Sequence, residues 1–192
     1  MNDITKDFES MGAQMAAGPA SYGHPQADII RKECESLLSK TSEGTRLLGY
    51  KNDNNIRIDI IAGKKVDWKA SHADNTAYIF CPANTKAVDL EEMALGYAIA
   101  IREMEHKDLG IRHPDPVAHP AEENQLILLD YFLDMNMEMC KIVSEFEKSD
   151  KETKFLDLVK KLGQDDFYRE YVSGKSKQEL KETLNKTLTN IA

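Results

Sequence analysis

The chain has 192 residues, 41% of them hydrophobic, with 33 acidic against 25 basic side chains and a formal net charge of −8. That length favours one domain, which buries roughly 70% of the surface of its unfolded chain and needs no disulfide or metal staple. The acid excess argues against nucleic-acid binding, which needs a basic face to neutralise phosphate, and against adhesion to an anionic membrane.

Cys34, Cys81 and Cys140 are odd in number and far apart, with no CxxC spacing. They read as buried free thiols rather than as a disulfide framework or a zinc knuckle. "MNDITKDFES" has acids and no apolar stretch of the secretory kind, and nothing approaches the ~18 consecutive apolar residues of a spanning helix. The expected location is the cytoplasm.

Residues 1–23 are polar and then small, with Pro19 in "GAQMAAGPASYGHP". A short weak helix and a flexible arm are expected there, and a single domain over 24–192. "QADIIRKECESLLSKT" sets Ile29, Ile30, Cys34, Leu37 and Leu38 at helical spacing, predicting an amphipathic helix that ends before Gly44. "NIRIDII" alternates Ile56, Ile58 and Ile60 against Arg57 and Asp59, the period of a half-buried strand. "TAYIFC" is a second strand stopped by Pro82, "ADN" before it is a turn, and Val66 to Trp68 suggests a third short strand. Trp68 reads as a packing anchor.

From Asp89 the chain turns helical. Asp89 can cap, and Glu91 and Glu92 stand in the first turn, where the helix dipole favours acids. This helix is expected to reach about Lys107, where "LGIRHPDP" breaks it. A long helix over about 122–147 follows, then a helical C-terminal part over 151–192 with segments near 151–162, 165–172 and 176–190.

The first of these helices is apolar on every side through "LGYAIAI" and then gathers Arg102, Glu103, Glu105, His106 and Lys107. The plain account is a core helix surfacing into water. The pentapeptide "REMEH" also has the outline of H-E-x-x-H, in which two histidines one turn apart bind zinc and the Glu between them is the general base. Glu103 then stands where the base would be, His106 where the second ligand would be, and Arg102 in place of the first. A guanidinium has no lone pair to give to zinc.

The order helix, strands, apolar helix, His- and Pro-containing loop, long helix resembles a bacterial zincin-like metallopeptidase domain family of unknown function. "AYIFCPAN" is similar to the segment that precedes that family's motif helix, and "ALGYAIAIREMEHKD" to its "LAHELRHAWQ"-like helix. "DMNMEM" resembles the family's "EADAEA"-like stretch on the next helix. The resemblance covers roughly residues 25–150. It implies Asp134 in place of the third metal ligand and Asn136 in place of the Asp that follows it.

On the long helix Asp130, Asp134, Glu138, Lys141 and Glu145 fall on one stripe within an otherwise apolar surface. The stripe faces either water or a site, with Asp134 directed at His106 across two packed helices. Asn136 falls among apolar positions and needs hydrogen-bond partners there. Met135, Met137 and Met139 read as core filler. His113 and His119 in the loop read as surface residues, with a metal role as the alternative; His24 and His72 read as isolated surface residues. Arg102 suggests a fixed cation in place of the metal, pairing with Asp134 or Glu103 in a bidentate fork that joins the two helices.

The fold expected is α+β and predominantly helical, zincin-like in layout. It has five to six helices and a small, mostly antiparallel sheet packed on the helix that carries "REMEH". The function expected first is a degenerate, non-catalytic relative of a metallopeptidase, with no cofactor, that acts through binding or structural interaction with a protein partner. The second is an active zinc hydrolase using His106, Asp134 and a loop histidine with Glu103 as base. The third is a helical interaction protein unrelated to zincins.

Overall fold

A computed structural model describes residues 23–84, 88–115, 117–149 and 154–191. The arm and short helix expected over 1–23 lie, apart from Gly23, outside the described residues. Helices α1 (Ala27–Leu38) and α2 (Ser42–Asp53) lead into strands β1 (Arg57–Gly63), β2 (Asp67–Ser71) and β3 (Thr76–Pro82). Helices α3 (Leu90–Leu109), α4 (Ala121–Ser149), α5 (Phe155–Lys161), α6 (Asp165–Val172) and α7 (Lys177–Ile191) follow. The protein is α+β and mostly helical.

Helix α2 is absent from the sequence expectation, which took Gly44 as a stop. Thr41 caps this helix instead: its hydroxyl oxygen accepts from Gly44 N–H at 3.0 Å while donating to Leu38 C=O at 2.9 Å. A Cβ on Gly44 would lie 2.2 Å from that same carbonyl. The glycine is there because α1 and α2 turn tightly against each other. From α4, Glu145 accepts from the Ser42 hydroxyl at 2.6 Å and from Glu43 N–H at 3.1 Å, placing a carboxylate at the positive end of α2.

The sheet order is β1-β3-β2. Strand β3 inserts between the other two, pairing parallel with β1 (Ile58 opposite Ala77, Ile60 opposite Ile79) and antiparallel with β2 (Trp68 opposite Ile79). The sheet is therefore mixed rather than mostly antiparallel. Two reversals of the chain leave β1 and β3 pointing the same way, and the insertion prevents β1 and β2 from closing as a hairpin. On the outer edge of β1, Gly23 forms an antiparallel bridge with Ile61, and His24 N–H donates to Ile60 C=O at 2.9 Å.

Helix α3 is the hub, in contact with α1, α2, α4, α5, β2 and β3. Asp89 caps it, accepting from Glu91 and Glu92 N–H at 3.0 and 3.2 Å. Every residue from Met93 to Ile101 is buried, which is why the segment is apolar all round. Each large aliphatic side chain buried there stabilises the fold by about 1.5–3 kcal/mol. At Gly96 the helix passes close to β2: a Cβ would stand 3.4 Å from Val66 and 3.7 Å from the Trp68 ring. Trp68 lies partly buried against the core at this crossing.

Gly110, in the left-handed conformation at φ 66°, ends α3, and Ile111 N–H returns to His106 C=O at 2.9 Å. That reversal leads the following loop back beside the last turn of the helix. Among the described residues no helix is long and apolar enough to cross a membrane.

Candidate functional site

The last two turns of α3 emerge from the core between α2, α4 and β2, and their polar side chains divide into two clusters around His106. The first lies between α2, α3 and α4. Arg102 donates from Nε to Asp134 Oδ2 and from Nη2 to Asp134 Oδ1, both at 2.8 Å, a fork-to-fork pair. Its Nη1 donates to Glu105 Oε2 at 2.6 Å. From α2, Arg46 grips the same Glu105 at 2.5 and 3.0 Å and also bonds Glu43. Glu138 stands 3.7 Å from Arg102, 3.6 Å from Arg46 and 3.5 Å from Lys141.

The His106 ring is fully buried and contributes its Nε2 to Asp134 Oδ2 at 2.9 Å. Because a carboxylate only accepts, Nε2 carries the hydrogen and Nδ1 is left as a buried atom without a hydrogen-bond partner. Burial works to raise the pKa of Asp134, but the bonds from His106 and Arg102 outweigh it and hold the carboxyl well below the usual range. Glu138 goes the other way. Burial first, then its hydrogen bond and repulsion with Glu43, push its carboxyl up to about 7, while Glu43 is held below its ordinary value.

The second cluster faces β2 and the loop after α3. Burial raises the pKa of Glu103, against a hydrogen bond from the Tyr131 hydroxyl, the charge of His106 and a bond from Ala70 N–H of β2. His113 Nδ1 lies 3.7 Å from Glu103 Oε1. The His113 ring also stands 5.5 Å from His106, 5.4 Å from Tyr131 and 5.1 Å from His72, centroid to centroid. His72 and His113 bring their Nε2 atoms to 3.3 Å. Burial, then the neighbouring imidazoles, depress His113 to about 4, and His72 shifts the same way.

Arg102, His106 and Asp134 thus meet, and Glu103 lies beside His106 but points into the other cluster. Asn136 stays out of both: its amide donates back to Phe132 C=O at 2.8 Å within α4. The stripe on α4 is not a thin solvated face. Glu138 is 1% exposed and Asp134 half-buried, Glu145 serves α2, and Asp130 pairs with Lys181 of α7. His113 and His72 are paired with each other rather than isolated. His24 is buried, its Nδ1 accepting from Gln26 N–H and its Nε2 donating to Pro82 C=O, each at 3.1 Å.

Sequence reasoning passed over Arg46 and Glu43, because helix α2 was not recognised. It also passed over Glu105, although its i,i+3 spacing from Arg102 is a visible pairing signal. Tyr131 gave no signal beyond its polar tip on a buried helix.

A catalytic zinc site needs three protein ligands with lone pairs and an open fourth position. Here the first position holds a guanidinium, and both oxygens of Asp134 are engaged by that guanidinium and by His106. An ion at this point would have to displace Arg102, so this donor set does not fit zinc. Glu103 lies on the side of His113, 3.7 Å from its Nδ1, and is not among the groups bonded to Asp134. Among the described residues no group of three or more His, Cys, Asp or Glu side chains is placed to hold a metal ion.

Compared with protein-family models, with curated proteins and with solved structures, the chain finds no match in any of the three.

Proposed function

We propose that the chain is a degenerate, non-catalytic zincin-like domain that acts through binding or structural interaction rather than turnover. The observation that carries this reading is the Arg102–Asp134 fork. On this reading a permanent cation stands in for the metal; Arg102 joins α3 to α4, with His106 bonded to the same carboxylate. The facing of these two helices also supports kinship with the zincin-like family over an unrelated helical protein.

The test is hydrolysis of casein and of a mixed peptide library by full-length, tag-free protein, with and without added Zn²⁺. No turnover that depends on Glu103 is expected. Activity in the parent protein that disappears in Glu103→Gln would overturn the reading in favour of a zinc hydrolase.

A further inference from the structure

We propose that His72 and His113 form a two-imidazole clip for a divalent transition ion of the zinc class, completed by water. The two nitrogens that face each other are both Nε2, at 3.3 Å. Zinc–imidazole bonds of about 2.0–2.1 Å at the tetrahedral angle place two ligand nitrogens about 3.3–3.4 Å apart. The pair is therefore already spaced for a shared ion, with the rings edge-on to each other at 78°.

The other nitrogen of His113 supports the same assignment. A metal-binding histidine turns its remaining N–H to a carboxylate, which fixes the tautomer and orients the ring. His113 Nδ1 lies 3.7 Å from Glu103 Oε1, a charge contact that a small ring rotation would have to shorten into such a bond. The ring is steadied further by edge and tilted contacts with Tyr131 and His106.

His72 is exposed and the His113 side chain is 35% exposed, so an ion can enter from solvent and keep water ligands. Imidazole donors suit Zn²⁺, Cu²⁺ and Ni²⁺ over Mg²⁺ or Ca²⁺. His72 follows β2 and His113 lies in the loop after α3, so a bound ion would fasten that loop to the end of the sheet. Neither residue belongs to the pentapeptide or to the Asp134 cluster, so the clip needs no part of the Arg102–Asp134 fork.

The experiment is calorimetric titration of full-length, tag-free, chelator-stripped protein with ZnCl₂, together with the visible spectrum of the Co²⁺ form. The parent and the His72→Ala, His113→Ala, His119→Ala, His106→Ala and Asp134→Asn variants are compared. One site is expected, weakened at least tenfold in either of the first two variants and unchanged in His119→Ala. Free Zn²⁺ at a hundredfold above Kd should raise the parent's Tm by about 5–10 °C. Absence of binding, or an affinity in His72→Ala or His113→Ala equal to the parent's, overturns the clip. Binding lost only on Asp134→Asn or His106→Ala overturns it too, and moves the ion to the Asp134 cluster.

Discussion

Arg102 clasps Asp134 through two parallel N–H···O bonds of 2.8 Å, joining the helix that forms the core to the longest helix of the fold. The Arg102 and Asp134 side chains are each 12% exposed, so neither charge is well solvated. Removing one partner strands the other. Arg102→Ala takes the bidentate cation from a half-buried Asp134, leaving it only the His106 N–H, removes one of two donors to Glu105 Oε2, and is expected to cost about 3–5 kcal/mol. Urea unfolding in the presence of EDTA measures this without any contribution from metal. A loss below about 1 kcal/mol would identify an ordinary solvated pair.

Glu138 makes stability depend on pH. Its folded pKa is raised to about 7, so its contribution is fully present below the unfolded value and is lost as pH rises through about 7. The cause is burial next to Glu43, against the opposing charges of Arg46, Arg102 and Lys141. Glu138→Gln keeps the shape and removes the titration. Between pH 5 and 8 the parent should lose on the order of 2 kcal/mol relative to the variant. Parallel stability curves for the two proteins would remove Glu138 from this role.

Gly44 packs where no side chain fits. Gly44→Ala drives a methyl group against the Leu38 carbonyl and the Thr41 hydroxyl, backbone and cap together. A loss of about 1–3 kcal/mol is expected, although alanine is the better helix former. Chemical denaturation of the variant checks it, and a gain in stability would mean that the α1–α2 turn yields freely.

The three thiols are buried, and burial pushes Cys34 and Cys140 up to about 12 and raises Cys81. Attack on a disulfide reagent needs the thiolate. Native protein should react with Ellman's reagent only as fast as it opens, and all three thiols should react at once in denaturant. A fast native phase would place one of them at the surface.

Local pattern went a long way here. The apolar run before Arg102, the cap at Asp89 and the alternation at Ile56, Ile58 and Ile60 announced α3 and β1, because burial on all sides or on one face leaves a periodic trace. A pairing of Arg102 was legible only as a choice between Asp134 and Glu103, because spacing places a guanidinium near both and helix packing alone decides which carboxylate it meets. Helix α2 was not, because Gly44 answers a tight turn between helices, which has no periodic trace. The mixed pairing of the sheet was equally hidden: strand sequences show which face is buried and not which neighbour runs alongside.

From its residues alone the protein was legible as an acidic, mostly helical α+β chain whose apolar core helix ends in a cluster of charge around Arg102. Only the tertiary structure decided that Glu138, buried, and Arg46, at the surface, complete an ion network around Arg102, and that His72 and His113 meet tip to tip. Periodicity records what each element buries, whereas convergence of side chains 41 residues apart depends on how the chain reverses at Gly110 and how helices pack across one another.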